Sequence, residues 1–113
     1  MEKDKAKIKL VLVDDHQMLL DGLAALLQGE QRFDLVGLCN NAKYALELIE
    51  STAPDIVITD INMPEISGVE LTRMIRKYYP KIKVLALSMF GERSTISEML
   101  EAGISGYILK NTG

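Results

Sequence analysis

Short apolar runs rich in Val and Ile alternate along the chain with longer stretches whose apolar residues recur at helical spacing. Continuous apolar runs of this kind suit strands buried on both faces of a parallel sheet. The expected strands are Ile8–Val13, 35–39, 56–59, 84–87 and Gly106–Leu109. Leu19, Leu20, Leu23, Leu26 and Leu27 line one face of a first helix, and Ala42, Ala45, Leu46 and Ile49 one face of a second. Leu71, Met74, Ile75 and Tyr78 do so in a third helix that Pro80 closes, and Ile96, Met99 and Leu100 in a fourth that precedes Gly103. Strands alternating with amphipathic helices predict an α/β domain with a doubly wound five-stranded parallel sheet. No repeat, low-complexity tract or linker divides the chain.

With 113 residues, 48% of them hydrophobic and 26% charged, the chain has room for one domain and one core, so residues 1–113 are expected to form a single unit. Thirteen basic against 16 acidic residues give a net charge of −3, which leaves no excess positive field for a nucleic-acid backbone. DNA binding by this chain alone is therefore not expected. Cys39 is the only cysteine and sits among Leu35, Val36 and Leu38, so a packed, reduced thiol is expected rather than a disulfide. The charged N-terminus, with Glu2, Lys3, Asp4, Lys5 and Lys7, lacks the apolar core of a signal peptide. No later run approaches the ~18 apolar residues of a membrane span. A cytoplasmic location without membrane contact is expected, and the charged N-terminal segment reads as a solvated terminus.

In doubly wound folds, ligands bind beyond the carboxyl ends of the strands, so the polar residues just after strands carry the chemistry. Strand one runs into Asp14 and Asp15, and strand three into Asp60. Either strand end alone would pass for a helix N-cap. Together, three carboxylates at one edge repel each other unless a cation neutralises them, and hard oxygen donors suit Mg2+. Ser88 directly follows strand four and Lys110 strand five, adding a hydroxyl and a cation. Phosphoryl transfer asks a protein for a nucleophile, positioning and neutralised charge on the phosphoryl oxygens. Asp60 is the candidate nucleophile, with the metal, Ser88 and Lys110 each serving a phosphate oxygen.

Four blocks carry a family resemblance: Val13-Asp14-Asp15-His16; Asp60-Ile61-Asn62-Met63-Pro64 with Gly68; Ala86-Leu87-Ser88; and Gly106-Tyr107-Ile108-Leu109-Lys110. In this order and at these intervals the chain resembles the receiver domain of two-component response regulators. Asp14-Asp15-His16 followed by Leu20, Gly22 and Leu23 also resembles the NarL/LuxR-type subfamily, whose receivers precede a helix-turn-helix. The resemblance implies a flavodoxin-like sheet of order 2-1-3-4-5 and phosphorelay signalling, in which a sensor histidine kinase phosphorylates Asp60 and a partner or output surface switches, in transcription regulation. It implies Asp15 and Asp60 as direct Mg2+ ligands, Asp14 as an acidic partner acting through water, and Asn62 as a ligand through its backbone carbonyl. It further implies Ser88 and Lys110 as the phosphate-binding hydroxyl and lysine, and Ser88 with Tyr107 as a switch in which the aromatic ring turns inward. His16 is read as a helix cap or packing residue.

The chain departs from the family pattern at Met89, where many receivers have alanine, and at Asn111, where many have proline after a commonly cis bond; neither change removes a ligand. Asn62 and Phe90 stand where family members vary to set phosphate lifetime. The family's fifth helix has no counterpart after Lys110, so the receiver is expected to be truncated at its C-terminus, or its open sheet face covered by a second chain as in a homodimer. DNA contact would then belong to an output domain outside this chain. A haloacid-dehalogenase-type phosphatase also forms an aspartyl phosphate, but carries Asp-x-Asp after strand one, whereas Asp60 follows strand three with Asn62 two residues on. An interaction domain that leaves the pocket unused would not need the acidic set. The expected activity is therefore that of a phosphoacceptor acting only on itself, not of a turnover enzyme.

Overall fold

A computed structural model describes residues 7–88 and 93–109. Five strands and four helices alternate among them: β1 (Ile8–Val13), α1 (Gln17–Gln28), β2 (Phe33–Cys39), α2 (Ala42–Thr52), β3 (Ile56–Asp60), α3 (Gly68–Tyr78), β4 (Lys83–Ser88), α4 (Arg93–Ala102) and β5 (Gly106–Leu109). All strand pairs are parallel, in the order β2-β1-β3-β4-β5. The doubly wound sheet expected from the sequence, and its order, are both observed. β2, β3 and β4 extend past their apolar runs, because Asp34, Asp60, Lys83 and Ser88 keep their backbones in the ladder whatever their side chains.

The order explains which face each helix covers. From β1 the chain steps one way to β2 and then returns across β1 to β3 and beyond. Right-handed crossovers therefore place α1 on one face and α2, α3 and α4 on the other. Val11, Val13, Val57, Val84 and Ala86 point to the three-helix side, where Ala45, Ile49, Leu71, Ile75 and Met99 close the main core. Leu10 and Leu12 alternate to the opposite face, where α1 contributes its buried Leu20.

One expectation fails on α1. Leu26 does not share the buried face; it is 76% exposed. It lies about 100° around the axis from its neighbour Leu27, which places it at the edge of the apolar arc. On the same face of the sheet Ile56, Ile58 and Leu85 are only half-buried, and Ile108 is exposed. The sequence expectations at Met89, Phe90, Lys110, Asn111 and the Lys110–Asn111 bond fall outside the described residues, as does the terminal charged segment before Lys7.

Candidate functional site: an acidic edge at the strand ends

The ladder itself brings the acidic residues together. β1 and β3 are adjacent, with Val13 opposite Thr59, so Asp14 and Asp60 leave the sheet side by side. The Asp14 N–H donates to the Cys39 carbonyl at 3.0 Å, which prolongs the β1–β2 ladder by one residue and fixes where Asp14 starts. Cys39 is itself buried, with its thiol donating to the Leu12 carbonyl at 3.6 Å, and burial pushes its pKa up to about 12. A packed thiol was expected there, and its neighbours keep it protonated at ordinary pH.

Asp14 is fully buried and Asp60 nearly so, while Asp15 reaches solvent. One side-chain oxygen from each of Asp14, Asp15 and Asp60 and one ring nitrogen of His16 all lie within 4.8 Å of one another. Oxygen donors at this spacing can hold a metal ion.

Asp60 is positioned with particular care. Its Oδ1 accepts the Ile61 N–H at 2.8 Å, and the Thr59 hydroxyl donates to its carbonyl at 2.9 Å. The following loop returns sharply to start α3. The Ile66 N–H donates to the Pro64 carbonyl at 2.8 Å around Glu65, whose φ is 69°. Ser67 then caps α3, accepting the Glu70 N–H at 3.2 Å while Glu70 accepts the Ser67 N–H at 3.1 Å. The Gly68 N–H donates to the Ile61 carbonyl at 2.7 Å. A Cβ on Gly68 would stand 2.1 Å from the Asp60 carbonyl oxygen and 2.8 Å from the Ile61 Cα, so only glycine lets α3 start against the Asp60 backbone. Gly68 belongs to the sequence motif, but its steric role is visible only in three dimensions.

Asn62 is exposed in the loop just after β3. Ser88 is the last residue of β4 and fully buried, one step past Leu87, which pairs with Asp60. Tyr107 pairs with Ala86 and so shares a sheet face with Ser88; its side chain is 51% exposed. Lys110 lies outside the described residues; it follows Leu109, the β5 partner of Ser88.

The structure revises the reading of His16. The residue stands at the N-cap of α1, but its side chain makes no capping bond. The ring turns back toward the strand ends instead, with Nδ1 2.9 Å from Asp14 Oδ1 and 3.4 Å from Asp15 Oδ1. A groove of about 400 Å3 lined by Ile49, Ala53, Pro54, Tyr79 and Ile82 joins the C-terminal end of α2 to the residues that enter β4, at the opposite end of the sheet from these acids. Among the described residues no helix is long and apolar enough to cross a membrane.

Comparison with known proteins agrees with this geometry. The family model for the response regulator receiver domain matches residues 10–113. The transcriptional regulatory protein DegU of Brevibacillus brevis is 41% identical over 104 residues, covering 92% of this chain and 44% of that protein. The chain spans about half the length of the curated relatives it matches. Among solved structures, the signal receiver domain of the response regulator NarL from Mycobacterium tuberculosis superposes with a TM-score of 0.89 at 28% identity, covering 96% of this chain and 88% of that one. A LuxR-family DNA-binding response regulator from Staphylococcus aureus gives 0.86 at 28% identity, covering 94% and 88%. The sheet order, the acidic edge and the matched family model therefore agree, and the chain belongs to the receiver domains of two-component response regulators, on the NarL/LuxR side of that family.

Proposed function

We propose that this chain is a Mg2+-dependent phosphoswitch that accepts a phosphoryl group on Asp60 from the phosphohistidine of a sensor histidine kinase. The observation that carries this reading is the meeting of Asp60 with Asp14 and Asp15 at one sheet edge, their oxygens within 4.8 Å. In the transfer, a carboxylate oxygen of Asp60 forms the new P–O bond as the P–N bond to the donor imidazole breaks. The imidazole nitrogen keeps the bonding pair and takes up a proton. Asp14, Asp15, Asp60 and the Asn62 backbone carbonyl would hold Mg2+, which neutralises charge on the phosphoryl oxygens when bound.

The protein's own groups supply the rest. The Ile61 N–H fixes the orientation of the Asp60 carboxylate through Oδ1. The Ser88 hydroxyl donates to one phosphoryl oxygen and the Lys110 ammonium pairs with another. As Ser88 moves toward the phosphate, the half-exposed ring of Tyr107 on the same face turns inward, and the surface around α4 and β5 changes for a partner to read. The chain catalyses only its own phosphorylation and dephosphorylation.

In this reading residues 1–113 are the receiver module of a longer cytoplasmic regulator, and DNA is reached only through an output domain outside them. Regulation of transcription is supported by the name of the DegU relative, and we propose a homodimer as one form of the switched surface. Incubation with Mg2+ and acetyl phosphate, or with beryllofluoride, tests the site by intact mass and fluorine spectra. One adduct is expected in the parent and none in Asp60→Asn. No adduct in the parent, or one that survives the substitution, refutes the assignment.

A further inference from the structure

We propose that His16 is a specificity-determining ligand of the acidic site, enlarging its preference for late transition-metal cations over Mg2+ beyond what carboxylates alone confer. The inference rests on the reading that Asp14, Asp15 and Asp60 hold a divalent cation. It goes beyond that reading in naming which cations the site distinguishes, and by which atom.

The geometry points to the ring. His16 occupies the N-cap of α1 with an extended backbone, φ −96° and ψ 100°, and does not spend its side chain on the helix. Nδ1 instead approaches Asp14 Oδ1 to 2.9 Å and Asp15 Oδ1 to 3.4 Å, and it belongs to the set of four donor atoms within 4.8 Å. At 2.9 Å, Nδ1 and Asp14 Oδ1 are spaced as two ligands of one cation are. An imidazole that binds a cation through Nδ1 carries its proton on Nε2. Asp14 is held in place beside it, because its Oδ1 also accepts the His16 backbone N–H at 2.8 Å.

The chemistry then separates the cations. Mg2+ prefers oxygen donors and retained waters, so an imidazole adds little to its affinity. Co2+, Ni2+ and Zn2+ all bind imidazole well, with affinity rising from Co2+ to Ni2+. Placed among three carboxylates, one imidazole raises affinity for those ions selectively. No other histidine competes, since His16 is the only one in the chain. The single cysteine is buried, its thiol engaged with the Leu12 carbonyl.

Calorimetric titration of the parent, His16→Asn and Asp60→Asn with Mg2+ and with Ni2+ separately tests the proposal. His16→Asn should weaken Ni2+ binding roughly tenfold or more while changing Mg2+ binding by less than about twofold. Because the His16 side chain is 67% exposed, the variant is expected to keep its fold, which circular dichroism checks. In the 15N-histidine-labelled parent, Zn2+ should shift the Nδ1 resonance of the one imidazole and leave Nε2 as the protonated nitrogen. If Mg2+ binds the parent and is lost in Asp60→Asn, but His16→Asn leaves the Ni2+ to Mg2+ ratio unchanged, the inference is overturned and the phosphoswitch reading stands. If the parent binds no Mg2+, that reading fails and the inference falls with it.

Discussion

Replacing Gly68 by alanine should damage stability and phosphorylation together, through a clash calculable from the backbone. The added Cβ would sit 2.1 Å from the Asp60 carbonyl oxygen, 2.8 Å from the Ile61 Cα and 3.0 Å from the Asp60 carbonyl carbon. The first distance is roughly 1 Å short of what non-bonded atoms tolerate, and every atom it meets is backbone, so no rotamer relieves it. The start of α3 must retreat, stretching the 2.7 Å bond from the Gly68 N–H to the Ile61 carbonyl, or Asp60 itself must shift. Overpacking of this kind costs about 1–3 kcal/mol, and weakening the buried hydrogen bond about 1 kcal/mol more. Alanine regains about 0.5–1 kcal/mol by restricting the unfolded chain. The net loss is about 1–3.5 kcal/mol, which for a domain of this size lowers Tm by roughly 4–15 °C. A nucleophile displaced by about 1 Å can also lose on the order of a hundredfold in rate. Urea unfolding with acetyl phosphate labelling measures both effects. Gly22, in α1, is the control: its Cβ would meet nothing within 4 Å, so Gly22→Ala should stabilise by about 0.5–1 kcal/mol and label normally. A Gly68→Ala protein within about 0.5 kcal/mol of the parent and labelling at the same rate would refute the idea that this close approach sets Asp60.

Two further outcomes follow from local structure. Ser67→Ala removes half of the reciprocal cap at the start of α3 and should cost about 1 kcal/mol in urea unfolding, most of it restored by Ser67→Asp; an unchanged midpoint in the alanine variant would show that the cap contributes nothing. Cys39 binds its proton more tightly when folded, with a pKa of about 12 against 9.0 unfolded, so its contribution to stability is complete below pH 9 and is lost as pH rises from 9 towards 12. The slope it adds is at most about 1.4 kcal/mol per pH unit, and Cys39→Ala should flatten the alkaline limb by that component. Identical limbs in the two proteins would argue against a buried, protonated thiol.

Much of the fold was legible because parallel strands buried on both faces appear as bare apolar runs, and each run here is long enough to place. The strand ends were less sharp. Asp34 and Lys83 enter the ladder with polar side chains, so an apolar run underestimates the strand by the residues whose backbones pair while their side chains meet water. Leu26 misled for the opposite reason. Periodicity assigns an arc, but which part of the arc is buried depends on the sheet beneath it, and on the α1 side Ile56, Ile58 and Leu85 remain only half-covered.

The acidic site was legible for a topological reason. In a doubly wound sheet every strand delivers its next residue to the same edge, so the residues after the apolar runs are neighbours however far apart they stand in sequence. Asp14, Asp60 and Ser88 follow that rule directly. Gly68 and His16 do not, because each acts through a direction that spacing does not encode. Gly68 matters for the Cβ it lacks, aimed at the Asp60 carbonyl, and His16 for a ring that turns back over Asp14 instead of capping its own helix. Both residues govern how Asp60 and its acidic neighbours are held. The family motif marks which side chains converge, while in the proposed phosphoswitch the fit among cations and the placement of Asp60 depend on two residues whose roles arise only from how the chain leaves the strands.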